Sequence, residues 1–205
     1  MPAITNWGNL KAAVTVYIRR DDQTLTPELP IYLQMASQRL LQDLRCQWLE
    51  KQTTGLVTVA GTQQYSLPTD FAEMKRVRLV IAQRFIDMDY VEDKRIAGSS
   101  GRPTKYTIAA NALRFSEIPD AAYNYTLIYK AIPTEMVADT DTNVFMTYAP
   151  EALLKAICAE AMRGAVDEAR CQAFNMEYLV AVAHANRQEW NMPTSIAVKP
   201  SMRVV

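Results

Sequence analysis

Catalysis in proteins often uses histidine or cysteine, and this chain has one histidine, His184, and three cysteines. His184 lies inside a predicted helix, one position from its apolar stripe, where a lone ionisable residue favours a structural or surface role. Neither Cys158 nor Cys171 stands in a recognisable catalytic context, and no nucleophile-elbow motif is present. A Ser-His-Asp or Cys-His site built from residues distant in sequence stays open, because such partners need only meet in space.

Oxygen-bearing side chains alternate in residues 139–143, which read DTDTN and resemble the opening of a calcium-binding loop. Such a loop needs glycine at its sixth position and a bidentate glutamate at its twelfth, whereas Val144 and Pro150 stand there. The pattern therefore favours a turn in which Asp and Asn side chains bond to the chain's own backbone.

Two other segments carry weaker signals for ligand binding. Residues 98–101 read GSSG, but a phosphate-binding loop is followed by lysine and a helix, whereas Pro103 and a strand follow here. Four acidic residues that could ligate a metal are more simply explained as solvated strand positions: Asp87, Asp89, Glu92 and Asp93. The sequence therefore predicts no metal, no cofactor and no catalytic constellation.

A short basic run, Lys75, Arg76 and Arg78, could contact phosphate, although a solvated strand face is favoured. The chain carries 22 Lys and Arg against 22 Asp and Glu, which gives a formal net charge of zero. A dedicated nucleic-acid binder carries excess positive charge. Any contact with DNA therefore has to use a local patch, and these three residues are the candidate for it.

Hydrophobic spacing predicts two helices at the start of the chain. The first covers residues 7–19. The second begins where Thr26 precedes Pro27, an N-cap followed by proline in the first turn, and ends near Lys51. Their apolar positions are Trp7, Leu10, Val14, Tyr17 and Ile18, and then Leu33, Ala36, Leu40, Leu41, Leu44 and Trp48.

Two more helices are predicted in the C-terminal part. Pro150 opens the third, and residues 164–168 separate it from a fourth that runs over residues 168–190 and ends before Pro193. The apolar side of the third helix comprises Leu154, Ile157, Cys158, Ala161 and Met162. The fourth is predicted to turn inward a row of mostly small residues, which let helix backbones approach closely: Ala169, Ala173, Met176, Val180 and Ala183.

The middle of the chain alternates with the period of two that is typical of strands. A hairpin is predicted in which residues 56–59 and 65–67 flank a turn at Ala60-Gly61-Thr62. Residues 94–102 are predicted to form a loop. The remaining predicted strands cover residues 74–81, 85–91, 106–108, 113–115 and 125–129.

These elements predict an α+β protein. We expect a helical bundle formed by the N- and C-terminal helices, with an inserted β-rich region (a hairpin or small sheet) and an extended C-terminal tail. Residues 1–53 and 134–190 supply the helices, 54–133 the β-rich insertion and 191–205 the tail.

At 205 residues and 49% hydrophobic, the chain can bury a core. Neither a signal peptide nor a membrane-length apolar run is seen, and three widely spaced cysteines indicate a reducing cytoplasm.

Several local signatures occur in an order that resembles one known family. Residues 59–71 read VAGTQQYSLPTDF and are similar to a hairpin-and-turn segment, and residues 101–106, GRPTKY, to a turn that leads into a strand. A strand pair at 113–119 and 125–129 follows with Pro133, and then Thr142-Asn143, Pro150 and a helix pair broken near residues 167–170. Over residues 33–190 the chain resembles the head-to-tail adaptor (connector) proteins of tailed bacteriophages.

This resemblance implies a structural virion protein without enzymatic activity. It implies a ring of about twelve copies beneath the portal ring, with genomic DNA passing through a central channel. The helical bundle would pack against its neighbours, and the β-rich part would point toward tail or nozzle proteins. The implied partners are therefore the portal protein, tail or nozzle proteins, other copies of the chain and DNA, with no membrane. The implied location is the head–tail neck of the virion, after synthesis in the host cytoplasm.

The resemblance also implies that the C-terminal tail reaches into the portal. Its apolar and basic residues would then be the portal-binding set: Met192, Pro193, Ile196, Val198, Lys199, Met202, Arg203 and Val204. A disordered terminus is the alternative interpretation of the same residues. Three other functions stay open, namely another neck component (a stopper or tail-completion protein), a small hydrolase or nuclease, and a DNA-binding accessory protein.

Overall fold

Five α-helices and eight strands occur in the computed structural model, which describes residues 4–19, 25–93 and 98–190, apart from the side chains of residues 188–190. The helices are α1 (Trp7–Ile18), α2 (Leu25–Asp43), α3 (Val144–Tyr148), α4 (Pro150–Gly164) and α5 (Glu168–Trp190). The strands are β1 (Glu50–Val57), β2 (Gln64–Ser66), β3 (Phe71–Ile81), β4 (Arg84–Asp87), β5 (Asp89–Tyr90), β6 (Lys105–Ala109), β7 (Ala112–Phe115) and β8 (Asn124–Ala131). Helices and strands occupy separate stretches of the chain, which confirms the predicted α+β class.

The described residues divide into two compact units. The helical unit contains the described residues up to Gln47 and from Glu135 onward, and the β unit contains Trp48–Thr134. The predicted extended tail, residues 191–205, lies outside the described residues. Among the residues that are described, no helix combines the length and the hydrophobicity that a bilayer crossing needs.

Helix α4 forms the centre of the helical unit, where it contacts α1, α2, α3 and α5. Every residue from 152 to 162 is buried, as expected for a helix that others surround. Two of these residues are charged, and both have partners: Lys155 pairs with Glu177 of α5 at 2.5 Å, and Glu160 pairs with Arg163 at 2.7 Å. The pairing offsets part of the cost of burying each charge. The apolar side predicted for this helix lies within the buried stretch.

Side chains at the helix ends explain where several helices begin. Asn6, Asn143 and Asp167 precede α1, α3 and α5, and each accepts a hydrogen bond from the amide three residues later, at 2.9, 3.2 and 3.1 Å. Pro150 occupies the first turn of α4, where a missing amide hydrogen costs nothing. These local signals confirm the predicted starts of the first, third and fourth helices, whereas the short α3 was not predicted.

Helix α2 already includes Leu25, so Thr26 lies inside it and the predicted N-cap at Thr26 is wrong. The helix ends at Asp43, so the predicted end near Lys51 is wrong as well. The amide of Arg45 donates to the side chain of Asn186 in α5, at 2.9 Å, and no longer to a carbonyl one turn earlier. Trp48 then belongs to a short 3₁₀ turn (Gln47–Leu49), and Lys51 to strand β1. A contact with a residue far along the chain therefore ends the helix, although the apolar spacing continues.

The orientation predicted for α5 is also wrong. Its buried side carries larger residues: Cys171, Phe174, Tyr178, Ala181, Val182 and Ala185. All five positions predicted to face inward are exposed: Ala169, Ala173, Met176, Val180 and Ala183. Both sides of this helix are apolar, so spacing alone could not choose between them. The aromatic side was buried because it removes more apolar surface from water.

The β unit consists of two four-stranded sheets. The first has the strand order β1-β8-β3-β4 and the second β2-β7-β6-β5. All neighbouring strands are antiparallel except β5 and β6, which are parallel. Residues from both sheets form one apolar core: Val77, Leu79, Met88, Tyr106, Leu113, Phe115, Tyr125, Leu127 and Tyr129. Val77 and Leu79, which lie on the same face of β3, are both fully buried in this core.

The hairpin predicted across Ala60-Gly61-Thr62 is wrong, although the chain does turn there. Strand β1 pairs with β8 in the first sheet, and β2 pairs with β7 in the second. Thr58, between them, is buried, and its amide donates to the carbonyl of Tyr123 at 2.9 Å. In the same way, the run predicted as one strand over residues 85–91 is divided, with β4 in the first sheet and β5 in the second.

Candidate functional site

The basic run on β3 is the first candidate site, and its three residues have different surroundings. Lys75 is the extra residue of a β-bulge, and its Nζ donates to Glu73 at 2.9 Å. Arg78 donates through Nε to Asp87 of β4 at 2.8 Å. Arg76 is exposed. Two carboxylates therefore accompany three positive charges, which weakens the attraction that this strand exerts on phosphate.

Two of the four acidic residues considered as metal ligands, Asp87 and Asp93, engage basic neighbours. Asp87 accepts from Arg78, and Asp93 pairs with Arg114 at 3.2 Å. Within residues 4–19, 25–93 and 98–190, no three His, Cys, Asp or Glu side chains group so that they could hold a metal ion. Asp87 and Asp93 therefore serve as ion-pair partners on the surface of the β unit.

The segment that resembles a calcium-binding loop is a self-bonded turn, as predicted. One oxygen of Asp141 closes the turn: its Oδ2 accepts from the amides of Val137 and Ala138 at 2.9 and 2.8 Å. These two hydrogen bonds hold the pKa of the Asp141 carboxyl below its usual value. The backbone carbonyl of Asp141 also accepts from the amide of Trp7 at 2.8 Å, which ties the turn to the start of α1.

The residues that could act as nucleophiles are in unsuitable surroundings. All three cysteines are free and buried. Burial raises the pKa of the Cys158 thiol to about 12, so it stays protonated at neutral pH, and a protonated thiol is a poor nucleophile. His184 lies exposed on α5, as predicted for a surface residue. The segment at residues 98–101 bonds to another loop, since the amide of Gly101 donates to the carbonyl of Ile118 at 2.9 Å.

One polar group in the β unit was not predicted from the sequence. Asp70 accepts a hydrogen bond from Lys51 at 2.6 Å and another from the hydroxyl of Tyr129 at 2.8 Å. The bond from Lys51 is the main cause of the lowered pKa of Asp70, and the same bond raises the pKa of Lys51. A carboxylate with both oxygens occupied and a lowered pKa is a poor proton carrier at neutral pH. The group therefore stabilises the fold by linking β1, β8 and the loop before β3.

An apolar groove lies between α1 and α4 in the helical unit. Its volume is about 490 Å³, and it is lined by Ile4, Asn9, Ala12, Ala13, Val16, Tyr17, Pro150, Glu151, Leu154 and Lys155. Val16 is 65% exposed, because the buried face of α1 uses Trp7, Leu10, Val14 and Ile18. The sequence did contain a signal for this groove, because Ala12, Ala13 and Val16 are apolar residues of α1 that do not belong to its buried face.

A second apolar surface is the outward side of α5, which we call the α5 ridge: Ala169, Ala173, Met176, Leu179, Val180 and Ala183. Its three large residues are more than half exposed, at 65% for Met176, 54% for Leu179 and 53% for Val180. Three exposed large apolar residues on adjacent turns of one helix indicate an interaction surface, because monomeric proteins seldom expose such a group together.

The portal-binding residues predicted from the sequence belong to the C-terminal segment 191–205. Met192, Pro193, Ile196, Val198, Lys199, Met202, Arg203 and Val204 all lie outside the described residues. Within the helical unit, the groove and the α5 ridge are apolar surfaces suited to association with other proteins.

Comparison with known proteins identifies the family. No curated protein matches the sequence. The model of one protein family, described as SU10 adaptor protein, matches residues 5–197, which is almost the whole chain. The chain therefore belongs to the SU10 adaptor protein family, in agreement with its resemblance to the head-to-tail adaptors of phages.

Proposed function

We propose that this protein is the head-to-tail adaptor of a tailed phage, a structural component of the virion neck that docks beneath the portal and links the capsid to the tail. The observation that carries this proposal is the family match over residues 5–197. About twelve copies would form a ring around the channel through which the genome passes. The protein would act by binding alone, with no cofactor and no reaction.

Ring formation is supported by the apolar surfaces of the helical unit. A ring requires a heterologous interface, in which one face of each copy contacts a different face of the next. The groove between α1 and α4 and the α5 ridge are two such faces on one unit. The β unit would then be available to tail or nozzle proteins.

Docking to the portal is assigned to residues 191–205. Their composition supports this proposal, because apolar residues such as Ile196 and Val198 alternate with the basic Lys199 and Arg203. A segment of this kind can gain order as it docks into a complementary groove.

Contact with DNA is assigned to Lys75, Arg76 and Arg78. The neighbouring Glu73 and Asp87 support a weak contact, since they reduce the positive charge that faces phosphate. Weak binding of phosphate suits a channel through which DNA passes, because a strongly positive channel would retard the DNA.

The test is electron microscopy of this protein co-expressed with the portal of the same genome, with and without the residues after Trp190. We expect a stacked double ring that the truncation removes. If the full-length chain leaves the portal bare and binds an adaptor ring instead, the protein is a stopper and the proposal fails. If it binds neither, a hydrolase or nuclease activity becomes the leading hypothesis.

A further inference from the structure

We infer that the α5 ridge of one copy packs into the groove between α1 and α4 of the next copy, so that the two surfaces together form the interface that closes the ring. This inference rests on the proposed ring and assigns the partner of each surface. The occupant of the groove is thus a second copy of this chain.

The α5 ridge has the form of an inserted element. Its residues recur at three- and four-residue intervals, so they lie along one line on the side of α5 opposite Phe174 and Tyr178. The large side chains of Met176 and Val180 project at its middle, and the small Ala173 and Ala183 lie on either side. The small residues allow a neighbouring helix to approach while the large ones fill a recess.

The groove has the complementary form. Ala12 and Ala13 leave space between α1 and α4, and Leu154 forms part of an apolar lining. Between Asn9 and Tyr17 the groove follows α1 for about 12 Å. The whole ridge, from Ala169 to Ala183, is about 21 Å long, and its half from Met176 to Ala183 is about 10 Å long at the usual rise of an α-helix. The groove can therefore hold the half of the ridge that carries the three large apolar residues, and both surfaces are apolar.

Charge distribution favours the same pairing. Glu151 lies exposed at one end of the groove, in the first turn of α4. Arg187 lies exposed on the line of the ridge, one turn beyond Ala183. Insertion of the ridge can bring these opposite charges together at the rim of the interface, where they help to select the register.

A pairing of one ridge with another ridge is less favourable. It would leave the groove between α1 and α4 empty. It would also be isologous and would stop at a dimer, whereas a ridge in a groove can continue from copy to copy until the ring closes.

Cysteine crosslinking of the assembled ring tests this arrangement, and the three native cysteines are buried and so do not compete. One chain carries Ala12→Cys and a second carries Val180→Cys, and both are assembled with the portal and treated with a short bis-maleimide. We expect a covalent dimer, at twice the 23.1 kDa of one chain, from the mixture and none from either chain alone. A chain with both substitutions should give a ladder of higher multimers.

The matched control replaces Val180→Cys by Ile31→Cys on α2, because Ile31 is exposed to a similar extent, 57% against 53%. This control should give no dimer with the Ala12→Cys chain. Charge reversal by Arg187→Glu should lower the yield of crosslinked dimer, and Glu151→Arg on the groove-bearing chain should restore it.

Three results would overturn the inference. A dimer from the Val180→Cys chain alone would indicate ridge-to-ridge pairing. Rings that microscopy shows to be complete but that do not crosslink would place the interface elsewhere. A crosslink from Ile196→Cys to Ala12→Cys, in place of the one from position 180, would assign the groove to residues 191–205. The absence of rings on the portal is a different result, since it refutes the proposed function itself.

Discussion

Arg39 of α2 offers a sharp test of how the helical unit is stabilised. Its Nη1 donates to Asn175 of α5 at 2.6 Å and lies 3.7 Å from the carboxylate of Glu160 in α4. Its guanidinium also lies 4.0 Å from the centroid of the Tyr178 ring. The side chain of Glu160 is only 4% exposed, so its charge depends on the cations beside it. One arginine therefore links three helices.

We expect Arg39→Met to destabilise the protein by about 3 kcal/mol. Removing one partner of a buried ion pair costs about 3–5 kcal/mol. The cost falls at the lower end here, because Glu160 keeps Arg163 at 2.7 Å. For a chain of this size a loss of about 3 kcal/mol lowers Tm by about 6–12 °C.

The measurement is urea unfolding followed by far-ultraviolet circular dichroism, which reports the helices. Glu160→Leu alone should also destabilise, whereas Arg39→Met combined with Glu160→Leu should regain about 2 kcal/mol, because no charge is then left buried without its partner. A loss below about 1 kcal/mol for Arg39→Met, or a double variant no more stable than that single variant, would refute the reasoning.

Three further predictions concern other parts of the chain. The hydrogen bond from Lys51 holds the pKa of Asp70 low, so its stabilisation is complete above the unfolded-state pKa and is lost as pH falls through the folded-state pKa. In urea unfolding, Asp70→Asn should therefore be less stable than the unsubstituted chain at neutral pH, and the difference should disappear in acid. Because burial raises the pKa of Cys158 to about 12 and all three cysteines are buried, a thiol reagent should label the native chain at none of them and the unfolded chain at all three. Gly164→Ala should destabilise by about 1 kcal/mol although alanine favours helices, because the added methyl group would overlap the hydroxyl of Tyr32. In a Tyr32→Phe background the same substitution should be closer to neutral in thermal unfolding.

Local chemistry made the starts of α1, α4 and α5 and the class of the fold predictable. Asn6, Pro150 and Asp167 act on amides or turns within three residues of themselves, so their effect can be read without knowledge of the rest of the fold. The helix–strand–helix order followed from periodicity, whereas the resemblance to the adaptor family rested on local signatures in order, such as residues 59–71 and 101–106.

The candidate surfaces were only partly predictable. The basic run of β3 was found as charges in sequence, but its partners Glu73 and Asp87 reach it through a bulge and through the neighbouring strand. The groove requires α1 and α4 to meet, and more than a hundred residues of sequence separate them.

Tertiary structure decided which strands pair and which side of α5 is buried. Strands β1 and β2 belong to different sheets, and Thr58 lies between them. Its side chain and its amide donate hydrogen bonds to the carbonyls of Ala121 and Tyr123, which are far along the chain. Helix α5 is apolar on both sides, and burial of Phe174 and Tyr178 against the rest of the unit turned the Met176 and Val180 side outward. The periodicity of a sequence indicates which faces of an element are apolar. Which of these faces is buried depends on the packing of the whole fold, because the interior has room for only some of them, and the others stay exposed for a partner.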